Sequence, residues 1–281
     1  GSDNTLIGDN AGGALTTGGN NTAIGSGALL VATTAADNTA IGTAALAANS
    51  SGTDNTAVGF SAGDAVTTGS DNTLVGDNAG GALTTGGDNT AVGSGALATE
   101  DGHGKNVAVG SESLATLNAG ADSYNVGVGY QAGNDLTTGI QNTLLGGLAG
   151  DVLTDADYNV AVGVSALGAD TKGSKSTAIG YSTLTAQNFT TSTDSMNTAV
   201  GYAAGAAITT GVSNTAVGAL ALDANTTASY ITAIGEKALS ANTTGAKNTA
   251  IGRATLQATT TQDNNTAVGY NSLSGGSNTA A

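Results

Sequence analysis

One glycine recurs at a fixed spacing along the whole chain, and that period constrains the fold before any other feature is weighed. Aligned on Thr-Ala-Ile/Val-Gly, it falls at Gly8, Gly25, Gly42, Gly59, Gly76, Gly93, Gly110, Gly129, Gly146, Gly163, Gly180, Gly201, Gly218, Gly235, Gly252 and Gly269. Thirteen of the fifteen spacings are 17 residues; the other two are 19 and 21, which places lengthened corners near 117–124 and 188–196. Residues 1–281 therefore read as one continuous array of about sixteen coils. Ser277-Asn278-Thr279-Ala280-Ala281 resembles a further copy arriving early and losing its glycine, and an opening of Gly1-Ser2 without methionine suits a segment of something longer.

Numbering the repeat from its asparagine makes Asn21 slot one and Gly25 slot five. Slot four is β-branched in fifteen of sixteen copies, Leu145 being the exception, which predicts a strand. Slot two is Thr in thirteen copies and Val in three (Val107, Val126, Val160), and it shares a face with slot four. Slot three, on the opposite face, is usually Ala. Apolar or small residues on both faces predict a strand covered on both faces, with slot four and the slot-two threonines turned inward.

Slots nine and twelve compensate one another. Ten copies carry Leu at slot nine (Leu29, Leu46, Leu97, Leu114, Leu167, Leu184, Leu222, Leu239, Leu256, Leu273) and, apart from Leu117, a polar or small slot twelve. The other six carry Gly at slot nine and an aliphatic slot twelve: Leu15, Val66, Leu83, Leu136, Leu153 and Ile208. One large side chain delivered from either of two places is the behaviour of a narrow core of fixed volume.

A 17-residue unit with one strand, glycine-bearing corners and no helical periodicity predicts a coil of an all-β solenoid, its strands stacked about 4.8 Å apart. Slot one is Asn in fourteen copies, which predicts an asparagine ladder along one corner, with ordinary turn chemistry as its simplest role. The chain has no proline, as expected if each coil donates its amides to the next. Leu, Ile, Val and Phe supply only 50 of 281 residues and the net charge is −15, a composition otherwise typical of disordered chains. With a period, the same deficit measures coil width. It predicts burial against partner chains, here a parallel homotrimer in which Ala-rich faces meet around an axis.

The copy Asn-Thr-Ala-Ile/Val-Gly-x-x-Ala-Leu followed by Asn-Thr-Thr-Gly resembles the heads of trimeric autotransporter adhesins (YadA-like) and 17-residue arrays of phage tail-fibre-like proteins. Thr232 to Asn248 and Asn125 to Gly139 carry the likeness most fully. The resemblance implies a left-handed parallel β-roll, three chains wide, in the shaft or head of an extracellular adhesive fibre. Departures are Ser176 and Ile231 at slot one, the three valines at slot two and the two insertions. A self-cleaving C-terminal chaperone in the flanking sequence would favour the virion, and a coiled-coil stalk with a membrane β-barrel the bacterial surface.

Chemistry is sparse. There are no cysteines for disulfides or thiolate sites, and six basic against 21 acidic residues disfavour nucleic-acid or anionic-membrane partners. No apolar run approaches a membrane span and no signal peptide is apparent. The sole histidine, His103 in Glu100-Asp101-Gly102-His103-Gly104-Lys105, reads as a solvated corner. Gly8-Asp9-Asn10 and Gly76-Asp77-Asn78 lack a calcium-roll or EF-hand pattern, and no Gly-Lys-Ser/Thr phosphate loop occurs. Acyltransferase β-helices repeat in multiples of six, unlike this chain. The expectation is a protein that is not an enzyme, with no catalytic residue, cofactor or metal.

Binding is expected in two places. Aromatics at slot six (Phe60, Tyr130, Tyr181, Tyr202, Tyr270) are candidates for contact with a glycan or protein receptor. The lengthened corners, with Tyr124 and Phe189, are expected to project as specificity loops. The leading expectation is a structural and adhesive segment of a trimeric extracellular fibre, either a phage tail fibre or a bacterial surface adhesin. Ice binding by the slot-two threonine column is the third reading, weakened by the three valines and by the inward orientation expected for that column.

Overall fold

The computed structural model describes residues 1–275, so the early partial copy at 277–281 lies outside the described residues. The chain is an all-β parallel solenoid of about sixteen turns, divided into two compact units. The first, Gly1–Gln141, contains β1 (Thr5–Ile7), β2 (Thr22–Ile24), β3 (Thr39–Ile41), β4 (Thr56–Val58), β5 (Thr73–Val75), β6 (Thr90–Val92), β7 (Val107–Val109) and β8 (Val126–Val128). Each pairs with the next in parallel, slot on slot, as in Thr22↔Thr39 and Ile24↔Ile41. The second unit, Asn142–Ala281, contains β9 (Thr143–Leu145), β10 (Val160–Val162), β11 (Gly173–Ser174), β12 (Thr177–Ile179), β13 (Thr193–Asp194), β14 (Thr198–Val200), β15 (Thr215–Val217), β16 (Thr232–Ile234), β17 (Thr249–Ile251) and β18 (Thr266–Val268). There β11 pairs only with β13, while the remaining strands stack in chain order. Among the described residues no helix is long and apolar enough to cross a membrane.

Hydrogen bonds run between coils even where the chain is not a strand. The slot-two N–H donates to the slot-one carbonyl of the following coil (Thr22 to Asn38, 2.8 Å), and slot five to slot four of the preceding one (Gly25 to Ile7, 2.8 Å). Corner amides do the same: Ala44 to Ser26 at 2.9 Å, Leu29 to Ala45 at 3.0 Å and Asp37 to Gly19 at 3.0 Å. Proline at any of these slots would remove a donor from the stack.

The slot-five glycine is required by backbone conformation and by space together. Its φ lies near +140° in most coils, and a Cβ added at Gly59 would stand 2.2 Å from the carbonyl oxygen of Gly76. Slots seven, nine and seventeen are also left-handed, so each coil turns three further corners at positive φ. Slot seventeen meets this need with Asp or Asn in most first-unit coils (Asp37, Asp54, Asp71, Asp88), the residues best suited to that region.

The core is the fixed-volume lumen that slots nine and twelve predict. Away from the first and last coils, Ala at slots three and eight, and Leu from slot nine or an aliphatic from slot twelve, are buried. Leu29 and Leu97 take φ of 50° and 52°, a strain of about 1–2 kcal/mol that burying a leucine side chain, worth about 1.5–3 kcal/mol, offsets. Where slot twelve is aliphatic, slot nine must be glycine: a Cβ on Gly205 would meet Ile208 Cδ1 at 2.9 Å.

Two expectations are corrected here. Slot four does not fill the lumen, and slot two is not an inward column. Both sit on the outer face of the strands, half-buried or exposed, while slot three alone points in. Slot three is usually Ala, and the leucines buried there, Leu74 and Leu144, occur in coils whose slot nine is glycine. In the single chain the strand is therefore buried on one face only.

The asparagine ladder is present and does more than make a turn. Asn38, Asn55 and Asn72 are buried, and each Oδ1 accepts from the next rung, as in Asn55 N–H (3.0 Å) and Asn55 Nδ2 (3.1 Å) to Asn38 Oδ1. The same Nδ2 donates to the slot-fifteen carbonyl of its own coil, Asn55 to Gly69 at 2.8 Å, closing the corner. At Ser176, Gln187 supplies the missing amide from slot twelve: its Nε2 donates to Ser176 Oγ (3.1 Å) and its Oε1 accepts from Asn197 Nδ2 (2.8 Å).

The shared lumen predicts a coupled pair. Gly205→Leu alone overpacks against Ile208 and Ile208→Asn alone leaves a void, each costing about 2–4 kcal/mol. The double substitution recreates the commoner coil and should recover most of that loss. A denaturation double-mutant cycle reads the coupling, and strictly additive losses would contradict the single-lumen account.

Candidate interaction surface

The longest regular surface is the outer face of the strands. In each unit it consists of two parallel columns, Thr (or Val) at slot two and Ile, Val or Leu at slot four, with like residues stacked coil on coil by the strand register. Ile41, Leu145, Ile179, Ile234 and Ile251 are each more than a third exposed, which makes the face apolar rather than merely neutral. Charged side chains are absent from slots two and four throughout the sequence.

The slot-six aromatics lie on the surface: Phe60, Tyr130, Tyr181, Tyr202 and Tyr270 are all exposed by more than half. Tyr181 and Tyr202, from successive coils, stack with ring centroids 5.6 Å apart and planes 9° from parallel. Further along the column, Arg253 Nε donates to Glu236 Oε2 at 3.1 Å, and its guanidinium lies 5.7 Å from the Tyr270 ring centroid. Sequence reasoning missed Tyr158 and Tyr230, exposed at slot seventeen in the left-handed conformation. Their signal was available in the register, because they occupy the slot that Asp fills elsewhere.

The lengthened corners differ from one another. Near 117–124, Asn118, Gly120, Ala121, Asp122 and Tyr124 are exposed, and Tyr124 belongs to a charged cluster. Lys105 Nζ donates to Asp122 Oδ2 at 2.6 Å and stands 5.3 Å from the Tyr124 ring centroid. This ammonium holds the Asp122 carboxyl below the usual carboxylate range, while Asp122 and Tyr124 raise Lys105. Near 188–196, Asn188, Thr190, Thr191, Ser192, Asp194 and Met196 are exposed, but Phe189 is not a surface residue. It is 6% exposed, with its ring so close over Gly173 that a Cβ there would meet it at 2.8 Å. The four extra residues fold back, β13 pairing with β11 and Lys175 bridging Asp194 at 2.6 Å. The backbone donors and acceptors of a longer corner must find partners, and the preceding coil offers them.

His103 lies at a corner whose Asp101 and Lys105 are exposed. It is partly buried beside the wholly buried Glu100, with Nδ1 3.5 Å from Glu100 Oε1. Among the described residues no pocket opens on the surface. Comparison of the chain with protein-family models, with curated proteins and with solved structures finds no match.

Asp37, Asp54, Asp71 and Asp88, all at slot seventeen, stack into a column of carboxylates through the strand register. Just before them Asn20 Nδ2 donates to Asp37 Oδ1 at 2.9 Å, a bond that two aspartates could not make. Replacing Asp54 and Asp71 by Asn keeps a residue tolerant of φ near 60° and removes like-charge neighbours about 4.8 Å apart. The pair of substitutions should stabilise by about 0.5–1 kcal/mol at low ionic strength, with the gain shrinking as salt is added. Calorimetry across a salt series checks this, and a destabilised or salt-indifferent variant would contradict it.

Proposed function

We propose that this chain is a structural and adhesive segment of a trimeric extracellular fibre, and that its outer strand face is covered by second and third copies of the same chain, aligned in parallel. The observation that carries the reading is the pair of uncharged Thr and Ile/Val/Leu columns turned outward on a sequence otherwise poor in large apolar residues. Exposed apolar area of such regularity is costly in water, and a parallel copy presents the same period to it row by row. The lumen of one coil is too thin to stabilise a chain of this length generously, so burial between chains supplies what the single coil lacks.

In such an assembly the slot-six column and the 117–124 corner would present three copies of each surface. Contacts to a cell-surface glycan or protein would then be individually weak and collectively firm. The stacked Tyr181–Tyr202 pair offers a flat aromatic platform of the kind sugars stack on. The virion is the preferred setting and the bacterial surface the alternative.

The outward orientation of the slot-two threonines also supports a second reading, ice binding, because it places an in-register Thr-x-Ile/Val array on the outer face of a parallel sheet. Solution mass separates the two. Light scattering should give three times the 26.5 kDa chain mass, and Val75→Lys, Val92→Lys and Val109→Lys together should yield monomers with unchanged circular dichroism. A wild-type monomer would overturn the fibre reading, and thermal hysteresis from that monomer would establish ice binding in its place.

A further inference from the structure

Three departures from the repeat meet at one place in the first unit. Slot twelve, which in coils with a slot-nine leucine commonly carries a short amide, carries Glu100; slot fifteen, elsewhere mostly Gly or Ala, carries His103; and the following coil holds the two-residue insertion near 117–124. In ordinary coils a slot-twelve amide makes at least one bond within its own corner. Asn49 Oδ1 accepts from Gly52 N–H at 2.7 Å, and Asn242 Nδ2 donates to the Gly245 carbonyl at 2.9 Å. Glu100 makes no such bond. Its side chain has no exposure to solvent, and both carboxylate oxygens, like His103 Nδ1, are buried without a hydrogen bond.

A buried carboxylate that lacks well-formed hydrogen bonds is costly unless it is neutralised or given a counter-charge. Burial pushes the Glu100 carboxyl up, although the nearby amides of Ala119 and His103 and the imidazole itself pull the other way. Asp101 adds a third donor atom: one oxygen of each carboxylate and one imidazole nitrogen lie within 4.8 Å of one another. Ligands at about 2.0–2.2 Å from a common ion stand about 3–4 Å apart, so small side-chain shifts would close this set around one centre. One imidazole nitrogen with two carboxylates suits a borderline divalent ion better than calcium, which prefers oxygen alone.

We propose that Glu100, Asp101 and His103 form a binding site for one divalent transition ion of the zinc type per chain, closed on its outer side by the 117–124 corner. The ion would supply the positive charge that the buried Glu100 lacks, and water would complete its coordination. All three ligands belong to one coil, so the ion would brace the corner of that coil beside the insertion in the next.

Zinc chloride titrated into the tag-free, chelator-treated chain should bind saturably at one equivalent by calorimetry. Glu100→Asn and His103→Gly restore residues that the repeat itself uses at these slots, so both variants should fold at least as well as the parent. Each should bind zinc at least about tenfold more weakly. His103 is the only histidine, so its ring resonances report on the wild-type protein without any variant, and zinc must shift them at the same stoichiometry. Undisturbed ring resonances, or folded variants that bind as the parent does, would overturn the site. Displacement of zinc by equimolar calcium would overturn the assignment of ion class.

Discussion

Hydrogen bonding from each coil to its neighbours is the constraint on which everything else in this protein rests. In a globular domain the strands pair and the corners are solvated, whereas here corner amides at slots seven, nine and seventeen also donate across the stack. To reach their acceptors those corners adopt left-handed backbone, a conformation that costs L-residues energy at every coil. The asparagine column extends the same rule to side chains, each amide bonded both along the stack and across its own corner. A coil out of register would lose all of these bonds together, which explains why thirteen of fifteen repeats hold their length at 17 residues.

So short a circuit leaves a thin lumen, filled in most coils by two alanines and one large aliphatic and in a few by a second leucine such as Leu74, Leu117 or Leu144. The low content of large apolar residues follows, and so does the destination of those that remain. The slot-four aliphatics have no room inside and stand on the outer face, where they give the single chain an apolar surface. The functional proposal depends on that sorting of side chains. The acidic residues, collected on corners, give the same molecule a strong charge that opposes unspecific lateral association.

Period, strand position, parallel stacking, asparagine column and the exchange between slots nine and twelve were all legible in the sequence, because each is a pattern repeated sixteen times. Which strand face looked inward was not, because Thr-Ala-Ile alternates small and large without polar residues to mark the solvent side. Burial went to the smaller residue, Ala23 or Ala91, since volume rather than hydrophobicity decides occupancy of a lumen this thin. Features that occur once were read least well. Phe189 looks like a loop aromatic and is buried over Gly173; Glu100 looks like part of a polar corner and is wholly buried. Slot twelve held the clue for Glu100, since a position that is aliphatic in six coils must face the core in the others.

Amide hydrogen exchange resolved to single residues tests the central claim most directly. If coil-to-coil bonding organises the chain, corner amides such as Ala44, Leu29 and Asp37 should exchange as slowly as the strand amides of Thr22 and Thr39, all opening as one cooperative stack. Rapid exchange at the corners with protection confined to the three-residue strands would contradict the account.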